Sequence, residues 1–219
     1  MKQTIVGVFA HPDDEAFGPA GTLATLAKEY DVYLICVTRG DAGMSHIKHD
    51  GDLGDIRLME LRNSAHILGI KEVFFLNYKD GTLCNNVYHK VADDIQKRLD
   101  ELTPETLITF EPRGVSGHID HIAVSMITTF VFNRVPYARY LWYYCIDVRH
   151  RKAMKDYFIY FPPGYEPSEY NQTIDVSEVW EQKLRAINQH VSQQGDIDTI
   201  VPIMERLPKE EHFIAIEKP

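Results

Sequence analysis

The chain has 219 residues, 44% of them hydrophobic and 25% charged, which suits one α/β domain with a real core. Its net charge of −9 excludes nucleic acid or an anionic membrane surface as the principal partner. No apolar run approaches the roughly 20 residues that span a bilayer, and the short amino-terminal apolar stretch runs straight into acids, unlike a secretory signal. Cys36, Cys84 and Cys145 are odd in number, widely spaced and without a C-x-x-C pair, which fits a reducing cytoplasm.

Residues 4–9, TIVGVF, read as a buried strand and 19–30 as a helix with Leu23, Leu26, Ala27 and Tyr30 on one face. A second strand is expected at 32–38, followed by a polar, glycine-containing loop at 39–54. Residues 55–68 carry a helical pattern closed by Gly69 as C-cap. Strands at 72–76 and 106–110 flank a helix at 87–101, in which Val87, Val91, Ile95 and Leu99 recur every four residues. A further helix is expected at 119–132. Strands that are continuous apolar runs, alternating with helices, predict a Rossmann-like α/β architecture: a largely parallel sheet with helices on both faces. From about residue 137 the pattern changes. ARYLWYYC (138–145) and KDYFIYFPP (155–163) are aromatic and strand-like. QTIDV follows at 172–176, then helices at 177–192 and 197–206 and a last strand at 212–216. No repeat or Pro/Gly/Ser-rich linker divides the chain, so residues 1–219 are expected to form a single domain. The aromatic 137–165 region offers a surface for self-association into a homo-oligomer.

Two polar clusters stand at strand carboxyl ends, where open parallel sheets bind ligands. HPDDE (11–15) follows the first strand and EPRGVSGHIDH (111–121) follows the fourth. Three side-by-side carboxylates repel one another unless a cation neutralises them. Adjacent Asp13 and Asp14 must point apart, so one can hold a metal while the other faces what the metal holds. His118 and His121 lie about one helical turn apart. Two imidazoles and a carboxylate from His11, Asp14 and His121 make a three-ligand set of the kind catalytic zinc sites use, with no thiolate required. Zn2+, one per chain, is the expected cofactor. Another divalent ion such as Fe2+ suits the same donors.

At these residues the sequence resembles the LmbE-like, or PIG-L, zinc-dependent N-deacetylases. Their A-H-P-D-D-E motif stands at 10–15 and their H-x-D-H motif at 118–121. An Arg–Glu helix ending in Leu-Gly matches at Arg57, Glu60, Ala65, Leu68 and Gly69. A T-x-G-[DE]-x-G loop matches at 38–43, and K-x-x-A-x-x-x-H-x-S-Q matches at 183–193. The resemblance spans residues 4–193. It implies His11, Asp14 and His121 as metal ligands and Asp13 as general base. It implies that His118, oriented by Asp120, stabilises the oxyanion and protonates the leaving amine, and that Arg57 contacts substrate. Asp41 and His190 are further candidates for substrate binding. The implied activity is hydrolysis of the N-acetyl group of an N-acetylglucosamine-type small molecule or its conjugate, releasing acetate and a free amine. A metal-dependent amidase of a larger conjugate and a metal phosphoesterase are the alternatives. The absence of G-x-G-x-x-G after the first strand argues against dinucleotide binding, and adjacent Asp13 and Asp14 do not suit the roughly 5 Å carboxylate spacing of a retaining glycosidase.

Overall fold

The computed structural model describes residues 2–48, 50–154 and 159–219. In chain order the elements are β1 (Thr4–Phe9), α1 (Asp14–Phe17), α2 (Ala20–Ala27), β2 (Asp31–Thr38), α3 (Leu53–Leu68), β3 (Glu72–Tyr78), α4 (Tyr88–Leu102), β4 (Thr106–Phe110), α5 (Gly114–Gly117), α6 (Ile119–Arg134), β5 (Tyr140–Cys145), α7 (Val148–Ala153), β6 (Gln172–Asp175), α8 (Trp180–Ile187), α9 (Gln194–Met204) and β7 (Glu210–Glu217). The seven strands form one sheet in the order β3-β2-β1-β4-β5-β7-β6. Pairing is parallel from β3 through β5 and antiparallel at β5–β7 and β7–β6. The sheet is therefore mostly parallel, with an antiparallel carboxy-terminal edge.

The strands read as continuous apolar runs because both sheet faces are covered. Val6, Val8, Ile35, Val37 and Leu107 pack against Val91, Ile95 and Leu99 of α4 and Val124, Ile127 and Val131 of α6. Ile5, Phe9, Leu34 and Ile108 point the other way, onto Leu23 of α2 and Leu61, Ala65 and Leu68 of α3. Asp52 caps α3 by accepting from the Asp55 amide, and Gly69 ends it at φ 79°, as its sequence position predicts.

In the late third of the chain the expected strands form as β6 and β7 and the last helix as α9, but two expectations fail. The predicted helix over 177–192 breaks: α8 stops at Ile187, and 191–193 form a separate 3₁₀ turn after His190 at φ −85°, ψ 54°. The amide and hydroxyl of Ser192 bond the buried Glu60 carboxylate at 2.8 and 2.7 Å, so a tertiary partner replaces the helical one. Of the strand-like 155–163 segment, 155–158 lie outside the described residues and 159–163 form no strand. The aromatic side chains of β5 serve the core: Tyr143 and Tyr144 are buried, the first bonded to Thr129 and the second packed on Phe110 and Phe213. No described helix is long and apolar enough to cross a membrane.

β1 and β4 are direct neighbours, paired Ile5 to Thr106 and Gly7 to Ile108. The segments that follow them, HPDDE and EPRGVSGHIDH, therefore emerge side by side, although about a hundred residues separate them in sequence.

Candidate active site

Asp14 opens α1 and turns its carboxylate back onto the chain. Its Oδ2 accepts the amides of Ala10 and His11 at 3.0 and 2.8 Å. Its Oδ1 lies 3.1 Å from His121 Nε2. His11 Nδ1 stands 3.1 Å from the same His121 Nε2 and 3.7 Å from Asp14 Oδ2. Both imidazoles are tied down on their other side. His121 Nδ1 is 3.1 Å from the Gly114 carbonyl, which can only accept. His11 Nε2 is 3.0 Å from Asp80 Oδ1 and 3.4 Å from Asp120 Oδ2. With acceptors at both outer nitrogens, the inner nitrogens of two neutral rings would converge as lone pairs beside a carboxylate. Such a trio requires a positive charge between its members. Donors bound at about 2.0–2.2 Å around a tetrahedral ion lie about 3.4 Å apart, close to the separations found here. Carboxylate or carbonyl acceptors behind both histidines are what metal-ligating imidazoles ordinarily have. The residues present thus fit a divalent cation.

Burial alone would raise the Asp14 carboxyl, but the charge and hydrogen bond of His121 and the charge of His11 hold it well below the usual carboxylate range. Burial likewise opposes a proton on His11. Hydrogen bonds to Asp120 and Asp80, with the charges of Asp14 and Asp80, outweigh it and raise the ring to about 10. The pocket around these nitrogens demands a cation, whether proton or metal.

Asp13 sits at φ 120°, ψ −21°, a region that costs a residue with a side chain on the order of 1–3 kcal/mol. Two partners hold it there. Glu15 Oε2 accepts its amide at 3.1 Å, and Arg57 Nη2 donates to the Pro12 carbonyl at 2.7 Å and to Asp13 Oδ2 at 2.9 Å. Arg57 is buried and also donates to the Gly40 carbonyl at 2.8 Å. Its guanidinium lies so close to the 38–43 loop that a Cβ on Gly40 would sit 2.6 Å from Cζ, and one on Gly43 2.7 Å from Nη1. Glycine at both positions makes room for it. Burial raises the Asp13 carboxyl to about 6, with Arg57 opposing and Asp14 adding to the rise.

Four residues singled out from sequence take the following surroundings in the structure. Arg57, expected to contact substrate, is committed to Asp13 and the loop backbone. His190, expected to bind substrate, is wholly buried behind the HPDDE turn, with Nε2 2.9 Å from Glu15 Oε1; Glu15 in turn accepts from Ser64. The Asp120 carboxylate, expected to orient His118, instead accepts the amides of Gly81 and Leu83 and faces His11. Asp41 accepts the Asp80 amide at 3.0 Å and so supports the residue behind His11. His118 caps α6: its Nδ1 accepts the Asp120 amide at 3.1 Å, which leaves the proton of a neutral ring on Nε2. Burial, then the charges of His11 and His121, push it down to about 4. Its ring packs 4.6 Å from that of His11.

Asp80 is the site residue that sequence reasoning missed. It lies in a K-D-G turn after β3, where an acid beside glycine looks like turn chemistry. Nothing local marks it as the partner of a histidine seventy residues away.

Comparison with known proteins identifies the family. The PIG-L family profile, described as GlcNAc-PI de-N-acetylase, matches residues 6–132. The chain belongs to the PIG-L family. It is 30% identical over 200 residues to a probable N-acetyl-alpha-D-glucosaminyl L-malate deacetylase 2 of Bacillus cereus, covering 88% of this chain and 84% of that protein. It is 29% identical over 222 residues to a 1D-myo-inositol 2-acetamido-2-deoxy-alpha-D-glucopyranoside deacetylase of Corynebacterium glutamicum, covering 86% and 74%. Among solved structures, the N,N'-diacetylchitobiose deacetylase of Pyrococcus horikoshii superposes with a TM-score of 0.77 at 22% identity, over 99% of this chain and 84% of that one, and so shares the fold.

Proposed function

We propose that this PIG-L chain is a divalent-metal-dependent N-deacetylase that hydrolyses the acetamide of an N-acetylglucosamine-type small molecule to acetate and a free amine. The observation that carries the reading is the convergence of His11 Nδ1, His121 Nε2 and the Asp14 carboxylate beside the clamped Asp13. The two curated relatives, named for N-acetylglucosamine-derived substrates, support the substrate class. His11, Asp14 and His121 would hold the ion, with Zn2+ the best match to two imidazoles and one carboxylate. The chemistry a divalent cation supplies there is Lewis acidity toward a carbonyl oxygen and a water.

The chain's own residues do the rest. Asp13, held at about 6, is ionised at neutral pH yet basic enough to take a proton from water as its oxygen attacks the acetyl carbon. His118, neutral and protonated on Nε2, offers a hydrogen bond to the oxygen on which negative charge develops. When the C–N bond breaks, the proton collected by Asp13 is available to the leaving amine. Asp80 and Asp120 hold the His11 ring, and Gly114 holds that of His121. The test is a free-amine assay of the zinc-loaded protein against a panel of N-acetylglucosamine derivatives, with and without chelator. Release of amine that chelation abolishes and zinc restores is expected. No release from any member, or release indifferent to chelator, would overturn the reading.

A further inference from the structure

A second cluster lies two strands along the sheet from β1, about 10 Å at the usual strand spacing. Asp147, directly after β5, is wholly buried. His150, on α7, sets Nδ1 2.8 Å from Asp147 Oδ1. His212, near the start of β7, is 2% exposed and bonds Thr173 Oγ1 through Nδ1 at 3.1 Å. Its Nε2 is buried and makes no hydrogen bond among the described residues. That nitrogen points at two carboxylate oxygens, Asp147 Oδ2 at 3.7 Å and Glu210 Oε2 at 3.9 Å. These gaps are too long for hydrogen bonds. They are near the separation of two donors that share one ion. One atom from each of Asp147, His150 and His212 falls within 4.8 Å of the others.

We infer that Asp147, His150 and His212 form a second, independent binding site for a borderline transition-metal ion such as Zn2+, with Glu210 at its margin. Two imidazoles and a carboxylate select such an ion over Mg2+ or Ca2+, which prefer all-oxygen shells. An ion there gives a partner to a buried ring nitrogen that has none among the described residues and faces negative charge. It also ties the β5–α7 junction to β7. Arg149 is the ion's competitor. It donates through Nε to Asp147 Oδ2 and through Nη2 to Glu210 Oε2 at 3.1 Å. Its side chain is 46% exposed, so it can swing into solvent when the ion enters.

The experiment is equilibrium binding of Zn2+ to the metal-stripped full chain, with stoichiometry read by elemental analysis after dialysis. Wild type should hold two ions per chain, His11→Ala one, and His150→Ala one. Combining the two substitutions should leave none. His150 is half-buried on a short helix, so its variant is expected to fold; His212→Ala should agree where its circular dichroism is native. Arg149→Gln should tighten the second site about two- to fivefold, the worth of an exposed ion pair. If wild type binds one ion and His150→Ala still binds one, the second site does not exist. If His150→Ala loses an ion while the amide substrates above remain untouched, this site stands and only the proposed function falls.

Discussion

The backbone of Asp13 makes a prediction that separates catalysis from stability. Asp13 adopts φ 120° beside His11, Asp14 and His121, and only glycine adopts such a conformation without strain. Asp13→Ala and Asp13→Gly both remove the carboxylate and its bond to Arg57, so those losses cancel when the two variants are compared. They differ in the Cβ. Alanine keeps a strain on the order of 1–3 kcal/mol. Glycine releases it at an unfolded-chain entropy cost of about 0.5–1 kcal/mol. Asp13→Gly should therefore be the more stable by about 1 kcal/mol. Unfolding entropy of about 2.1 cal/mol/K per residue converts this, over 219 residues, into a melting point about 2 °C higher. Calorimetric melts of the metal-free variants, measured side by side, provide the comparison. Both should hold one ion at the His11 site and lose about 10²–10⁴-fold in kcat, the usual worth of a general base. A melting point for Asp13→Ala equal to or above that of Asp13→Gly would refute the claim that strain is stored at this residue. Loss of the ion from both would show that Asp13, not only Asp14, is a ligand.

Three other outcomes are expected. In the acid limb of kcat/KM against pH, activity should fall as pH drops through about 6, because Asp13 must be ionised to accept a proton and its carboxyl is raised to that value; a limb centred near 4 would contradict the assignment. His118→Ala should lower kcat about 10²–10³-fold, the range for one oxyanion donor, while the alkaline limb stays where it is, because His118 is already neutral above about 4; a displaced alkaline limb would restore a protonated His118. Gly40→Ala should destabilise the protein by more than about 1 kcal/mol in chemical denaturation, since it meets both φ +65° and a guanidinium 2.6 Å away; a neutral effect would mean that Arg57 is not held as described.

The alternation of apolar strands and periodic helices was sufficient to determine a mostly parallel α/β sheet, because each strand buried on both faces must be apolar throughout. His11, Asp14 and His121 could be picked out as a group from sequence, because a cation makes charges stacked at a strand end favourable, and the fold does bring these side chains together. Strand order was not legible. That β1 pairs with β4 depends on which hydrophobic faces α4 and α6 cover together, and this adjacency alone turns two distant clusters into one site. The supporting shell was equally hidden. Asp80 in a turn after β3 carries no local mark, and the motifs that single out Arg57 and His190 do not reveal their partners, because each takes its role from a residue far along the chain: His11, Asp13 and Glu15. Asp120 shows the limit most plainly. His118 stands two residues before it, but side chains at i and i+2 of a helix do not face each other, and the fold turned its carboxylate to His11 instead.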